Sequence, residues 1–154
     1  MPEPSGVASE ANPTIRPMES RDTGAVVPLI VQLGYQRSAS EVAQWIAELD
    51  PEHAAAFVAC LGDAVVGWIE VSLQSHLATA PYALIGGLVV LDGVRGHGIG
   101  RLLCERAEAW AWERGVDAMR VTSRSTRPDA HRFYLRDGYE TVKTSVVFEK
   151  KRPT

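Results

Sequence analysis

The ten residues Asp92-Gly-Val-Arg-Gly-His-Gly-Ile-Gly-Arg101 put four glycines between a nearly continuous apolar run, Ala83 to Leu91, and an amphipathic pattern that begins near Gly98. The apolar run reads as a strand buried on both faces and so central in its sheet. In the pattern that follows, Ile99, Leu102, Leu103, Ala107, Trp110 and Ala111 share one side of a helix, while Arg101, Glu105 and Glu108 share the other. Gly115 ends that helix and Ala118 to Thr122 reads as the next strand. A strand, crossover helix and strand in one sheet make the two strands parallel neighbours, so purely helical and purely antiparallel folds are excluded. The turn itself has a chemical consequence. Bare backbone at Gly93, Gly96, Gly98 and Gly100 lets successive N–H groups face outward at a helix N-terminus, which suits a pyrophosphate, and Arg95 and Arg101 can add charge. It is not a P-loop, because no Gly-Lys-Ser/Thr follows, and its RxxGxG spacing is not the GxGxxG of a dinucleotide turn.

The remaining chain extends this α/β core in both directions. Residues 1–13, rich in Pro, Ser, Ala and Glu, are expected to form a disordered tail, and residues 151–154 a short basic one, leaving one domain over residues 14–150. Thr14 to Met18 reads as a first strand. Asp22 to Leu33 reads as a helix stopped by Gly34, and a second helix opens at Ser40 and Glu41 and runs through Leu49. Ala55 to Leu61 and Val65 to Leu73 form a hairpin about Gly62-Asp63. Asp129 to Asp137 reads as a short helix ended by Gly138, and Glu140 to Glu149 as one or two closing strands. The expected fold is α/β: a single-domain mixed sheet of six to seven strands in the order βααββ-βαβαβ(β).

Composition narrows the function classes. With 16 basic and 19 acidic side chains, net charge −3, the chain lacks the positive surface of a nucleic-acid binder. Cys60 and Cys104 lie in apolar surroundings with no CxxC or His spacing, so buried reduced thiols are expected rather than a metal site. No apolar run reaches the ~18 residues of a membrane span and no basic-then-apolar leader is visible, which fits a cytoplasmic protein without a membrane partner.

Two motifs about thirty residues apart then carry a resemblance. Arg95, Gly98 and Gly100 match Arg/Gln-x-x-Gly-x-Gly/Ala, and Ala130-His-Arg-Phe-Tyr-Leu-Arg-Asp-Gly-Tyr139 follows in the expected order, so the chain resembles the GCN5-related N-acetyltransferase superfamily over nearly all of residues 14–150. The resemblance implies the acyl-CoA N-acyltransferase fold, with the fourth and fifth strands splayed, and acetyl-CoA as cosubstrate without a metal. It implies that Arg95, Gly96, His97, Gly98, Ile99, Gly100 and Arg101 hold the pyrophosphate and that backbone groups of Leu88, Val89 and Val90 meet the pantetheine arm. An amide-rich extended arm can pair like an added strand with an exposed edge. A backbone N–H of Val89 or a neighbour would polarise the acetyl carbonyl.

Acetyl transfer also needs a proton for the departing thiolate. Tyr134 matches the family tyrosine in that role, with Phe133 beside it on the inward stripe bordering the cofactor. Its loss should slow turnover rather than abolish it, because water can replace it. The base is open among Glu70, His76 and water. Neither cysteine suits a covalent acetyl intermediate, so direct attack in a ternary complex is favoured. The resemblance places the acceptor around Tyr35 to Ser38, Gln74 to Tyr82 and Thr141 to Ser145, where no dense acidic cluster points to a polycation. Arg127 stands where many members carry Asn, which puts one pantetheine contact in doubt, with Ser125 or Thr126 as substitutes. Trp112, on the polar face of its helix, is a candidate for a homodimer contact or for packing on adenine. The function implied is N-acetylation of a small-molecule amine. Alternatives are a protein or peptide N-acetyltransferase, a noncatalytic acyl-CoA-binding module, and a nucleotide-binding domain.

Overall fold

The structure, a computed structural model, describes residues 12–94, 96–123 and 127–154. Most of the expected N-terminal tail, and with it Arg95, Ser125 and Thr126, lie outside the described residues. The chain divides into two compact units, one through Val121 and one from Thr122.

The larger unit is a five-stranded sheet in simple sequence order. Its strands are β1 (Thr14–Pro17), β2 (Ala54–Leu61), β3 (Ala64–Gln74), β4 (Tyr82–Val90) and β5 (Met119–Val121). The first three pairings are antiparallel and β4 with β5 is parallel, as a crossover helix requires. That helix is α3 (Ile99–Glu113), and α1 (Thr23–Leu33) and α2 (Ala39–Ala47) precede β2.

Local chemistry sets the helix ends. Gly34 takes φ 111° and donates its N–H to the carbonyls of Ile30 and Val31, a left-handed stop that few side chains tolerate. The α2 helix starts at Ala39, one residue before the expected opening at Ser40: Ser38 is the N-cap, its hydroxyl accepting from Glu41 N while Glu41 accepts from Ser38 N. This capping box satisfies two otherwise orphaned donors and outcompetes the later serine. Before α1, the carboxylate of Asp22, 4% exposed, takes both guanidinium nitrogens of Arg16 at 2.8 Å and the N–H of Glu19 at 2.8 Å. It thereby ties β1 to the first helix.

The core lies on both sheet faces. On one, Val26, Leu29, Ile30 and Val42 from α1 and α2 pack on Ala56, Val58, Cys60, Trp68 and Val89. On the other, α3 approaches so closely at Gly67 that a Cβ there would meet Leu103 at 3.1 Å and Ile99 at 3.3 Å. Cys60 and Cys104 are buried thiols that form no disulfide among the described residues.

Two expectations need correction. First, β4 is not buried on both faces along its length: Ala83, Ile85, Gly87 and Val89 are buried, while Leu84, Leu88 and Val90 are half-buried and Gly86 is exposed. A register shift pairs Glu70 with Gly87 but Val71 with Ile85, leaving Gly86 as a bulge. Ile85, opposite Val71, belongs to the α3 side, whereas Gly87 and Val89 belong to the α1 and α2 side. The buried face therefore changes at Gly86, and a run of apolar residues conceals that change.

Second, five strands are present among the described residues, not six or seven. In the smaller unit, α4 (Pro128–Arg136) ends at Gly138, φ 96°, and residues 139–154 form neither helix nor strand. Val142, Val146, Val147 and Phe148 are 73%, 74%, 84% and 89% exposed. Apolar and β-branched residues favour a strand only when a neighbouring ladder accepts their backbone groups, and none is formed there. No residue of α4 is fully buried, so the expected inward stripe at Phe133 is only half-buried. The Tyr134 ring meets Phe133 edge-on at 5.2 Å and Tyr139 at 5.7 Å.

Candidate active site

The parallel ladder between β4 and β5 is short. Of the nine residues of β4, only Ala83, Leu84 and Ile85 pair with β5. From Gly86 to Val90 that edge has no ladder partner among the described residues. Which backbone groups face the gap follows from one hydrogen bond. Leu91 N donates to Val66 O at 2.8 Å, so the facing pair Gly67 and Val90 is a non-hydrogen-bonded one and Trp68 with Val89 is a bonded one. Leu88 and Val90 therefore turn their amides away from β3 toward the gap, while Val89 spends its own on β3. Of the three residues expected to meet an extended ligand, Leu88 and Val90 direct their amides away from β3 and Val89 directs its amide to β3.

The gap runs into the glycine turn. Gly93, Gly96 and Gly98 have φ of 94°, 95° and 70°, and a Cβ at any of them would meet nothing within 4 Å. The glycines are there for backbone conformation and access, not because neighbours crowd them. Gly98 caps α3 without a side-chain acceptor, so the first helical turn, from buried Ile99 and half-buried Gly100, keeps amides for an external anion. His97 is exposed in the turn. The Arg101 guanidinium lies 3.1 Å from Glu105 in an exposed i,i+4 pair, a contact worth only about 0.3–0.5 kcal/mol.

One side chain holds the entrance of this turn, and sequence reading did not single it out. Gln32 of α1 donates to Val90 O at 2.7 Å and accepts from Asp92 N at 3.1 Å, bracketing Leu91 between strand and turn. The residues are about sixty positions apart, so no local pattern signals the contact.

Glu70 settles on the α1 and α2 side of the sheet, opposite Ala56 and Gly87, both on that face. A Cβ at Gly86 would lie 3.0 Å from its Cδ and 3.1 Å from its Oε2, so the bulge glycine makes room for the carboxylate. A Cβ at Gly87 would lie 2.6 Å from Cη2 of Trp68. Burial pushes the Glu70 carboxyl above the usual range. The Gly-Gly pair within an apolar strand was a visible bulge signal, whereas its two occupants were not. The other base candidate, His76, lies 3.3 Å from the Tyr82 hydroxyl and stacks on that ring, and Arg120 covers the ring at 4.3 Å. Tyr35 is exposed, as are 141–145. Arg127 is exposed at the α4 N-cap and makes no side-chain cap. Trp112 is 48% exposed, near Gly115, Val116 and Asp117. Among the described residues no three His, Cys, Asp or Glu side chains converge as a metal set, and no helix is long and apolar enough to cross a membrane.

A mixed sheet thus leads from its parallel pair into a glycine turn whose amides suit a diphosphate. The model of the acetyltransferase (GNAT) family matches residues 21–139, and the chain belongs to that family of acetyltransferases, enzymes that draw on acetyl-CoA. An aminoalkylphosphonate N-acetyltransferase of Salmonella typhimurium is 43% identical over 77 residues, 49% of this chain and 50% of that one, so the matched stretch spans half of that relative. An aminoglycoside N(6')-acetyltransferase of Stenotrophomonas maltophilia is 28% identical over 142 residues, covering 88% of this chain and 92% of its own. Among solved structures, an aminoglycoside acetyltransferase holding a bisubstrate analogue of CoA and acetylneamine superposes with TM-score 0.79 at 18% identity, over 91% of this chain and 99% of that one.

Proposed function

We propose that this chain transfers the acetyl group of acetyl-CoA to the primary amine of a small molecule by direct attack in a ternary complex. The observation that carries the reading is the set of outward backbone groups at Leu88 and Val90 on the β4 edge, followed in the chain by the turn at Gly96–Gly100. From Gly86 to Val90 that edge is about 13 Å long, suited to an extended, amide-bearing arm with a diphosphate at one end. Leu88 N–H and C=O and Val90 N–H hold the arm, while the turn amides and Arg101 hold the diphosphate. Acetyl-CoA supplies a thioester, a carbonyl activated toward amines. The chain must orient that carbonyl, accept a proton from the amine and return one to the thiolate. Tyr134 is the proton donor, with Phe133 beside it. Cys60 and Cys104 are buried, which favours direct transfer over an acetylated cysteine. That both curated relatives are named for small-molecule amines supports a small acceptor.

The test is a thiol-release assay with acetyl-CoA and a panel of small amines, alongside a lysine peptide. Release dependent on a small amine and slowed about 100-fold or more by Tyr134→Phe is expected, in line with general acid catalysis. CoA binding with no turnover of any amine, or Mg-ATP competing equally with CoA, would leave only a binding module.

A further inference from the structure

The sheet face that α1 and α2 cover is not covered to its end. The row Val58, Trp68, Val89 belongs to the core. The next row holds Ala56, Glu70 and Gly87, then Ser72, Leu84 and Arg120 share a row, then Gln74 and Tyr82. From Glu70 outward the exposed floor changes character: Glu70, Ser72, Leu84, Arg120, Gln74 and Tyr82 are all half-buried. It begins at Gly86, where β4 parts from β5, and is therefore continuous with the head of the proposed cofactor track.

Two opposite charges stand on this floor without each other. Glu70 has no hydrogen-bond donor or cation among the described residues. No other ionisable group occurs on β3, β2 offers Ala56 and β4 offers Gly86 and Gly87. The first helix, α1, has no ionisable side chain, and on α2 the only one, Glu41, is exposed and turned to Ser38 and Arg37. Arg120 lies over the Tyr82 ring and makes no ion pair among the described residues. Two residues along β3 and two strands across separate the Cα atoms of Glu70 and Arg120 by about 12 Å, and both side chains rise from the same face. A half-buried carboxylate and a half-buried guanidinium left apart on one floor are complementary to a ligand that carries both charges.

We infer that this floor binds the acceptor as a short dipolar molecule, its primary ammonium on Glu70 and an anionic group, phosphonate, phosphate or carboxylate, on Arg120. The inference rests on the N-acetyltransferase reading and names its substrate class. Glu70 takes one proton from the ammonium. The freed nitrogen lone pair forms the C–N bond to the acetyl carbon as the C–S bond breaks, the electron pair leaves on sulfur, and the thiolate gains a proton from Tyr134. The second ammonium proton is lost from the new amide nitrogen to solvent. Guanidinium geometry suits a tetrahedral or planar oxyanion, and Arg120 selects for it without touching the reacting atoms.

The experiment uses the full chain with 2-aminoethylphosphonate, O-phosphoethanolamine, β-alanine, n-propylamine and neamine, measured by thiol release and, without cofactor, by calorimetry. Acceptors with an anionic end should be preferred over n-propylamine and neamine, their ranking separating phosphonate, phosphate and carboxylate. Arg120→Met should raise KM for the preferred one about 10–100-fold, as expected for a hydrogen bond to a charged group. Its kcat should change little, and Arg120→Lys should recover part of the loss. Glu70→Gln should lower kcat for every amine and remove the acidic limb of the pH profile. The inference is overturned if n-propylamine or neamine is the better acceptor, if Arg120→Met weakens all amines alike, or if Glu70→Gln keeps the acidic limb. Failure of the acetyltransferase reading shows differently, as no thiol release with any amine. The floor is then still judged by heat from 2-aminoethylphosphonate: lost in Arg120→Met in support, absent in the parent against.

Discussion

Replacing the two adjacent glycines of the β4 bulge, one at a time, should separate stability from activity. Neither has a positive φ, so alanine brings no backbone strain at either, and the outcome depends on what the new Cβ meets. At Gly87 it meets Cη2 and Cζ3 of Trp68 at 2.6 and 2.7 Å, atoms of a rigid ring that is 7% exposed and packed among Val26, Leu29 and Val89. Overpacking of this kind costs about 1–3 kcal/mol, partly offset by the roughly 0.5–1 kcal/mol that alanine gains over glycine in a strand. The net centres on about 1 kcal/mol and reaches about 2.5 kcal/mol at most, or roughly 2–4 °C in Tm at the centre for a chain of this size. At Gly86 the Cβ meets the Glu70 carboxylate at 3.0–3.1 Å, the end of a flexible side chain that can move. Gly86→Ala should therefore leave Tm within about 2 °C, the range of a mild surface change, yet lower kcat/KM by displacing the carboxylate. Calorimetric melting and amine-dependent thiol release read the two effects. The double variant Gly87→Ala/Trp68→Phe, which removes the offended ring atoms, should be less destabilised than the two single changes summed. An unchanged Tm in Gly87→Ala, or a Gly86→Ala enzyme of full activity, would refute the assignment of these two side chains to the bulge.

Three further expectations follow from single contacts. Gln32→Leu removes two neutral hydrogen bonds that hold the entrance of the glycine turn, about 1–2 kcal/mol together, so CoA should bind roughly five- to thirty-fold more weakly in calorimetry; an unchanged Kd would deny the bracket any role. Asp22, its carboxyl lowered chiefly by its hydrogen bond from Arg16, releases its proton more readily folded than unfolded. Its stabilisation is complete above the ordinary carboxylate pKa, about 4, and is lost as pH falls through the lower folded value; Asp22→Asn should melt at lower temperature at pH 7 and show a flatter pH dependence in acid. Glu70 has the opposite sign. Its carboxyl is raised by burial, so its contribution is fully favourable below the unfolded pKa and declines as pH rises through the folded one, and Glu70→Gln should raise Tm at pH 7 but not at pH 4. A uniform shift at both pH values would mean that desolvation of the charge is not the cause.

Much of the larger unit was legible in the chain because its cues are local. Helical periodicity marked α1 and α3, a turn signal marked the β2–β3 hairpin, and the crossover through α3 dictated the parallel pairing of β4 and β5. The glycine turn was readable for the same reason, since the loss of side chains at Gly93, Gly96 and Gly98 is itself the conformational requirement. The closing strands were read from propensity in Val142, Val146, Val147 and Phe148, and propensity without a ladder did not make a strand.

What the sequence determined by itself, then, was the order of the elements from β1 to α4 and the bare backbone of the glycine turn, because both arise from contacts between near neighbours along the chain. Which backbone groups of β4 face the gap, that Val89 is not among them, that Glu70 rests in the notch at Gly86, and that Gln32 braces the turn were decided only in three dimensions. A single bulge reverses which face of a strand is inward, and a hydrogen bond across sixty residues leaves no periodicity behind, so neither can be read before the strands are laid side by side.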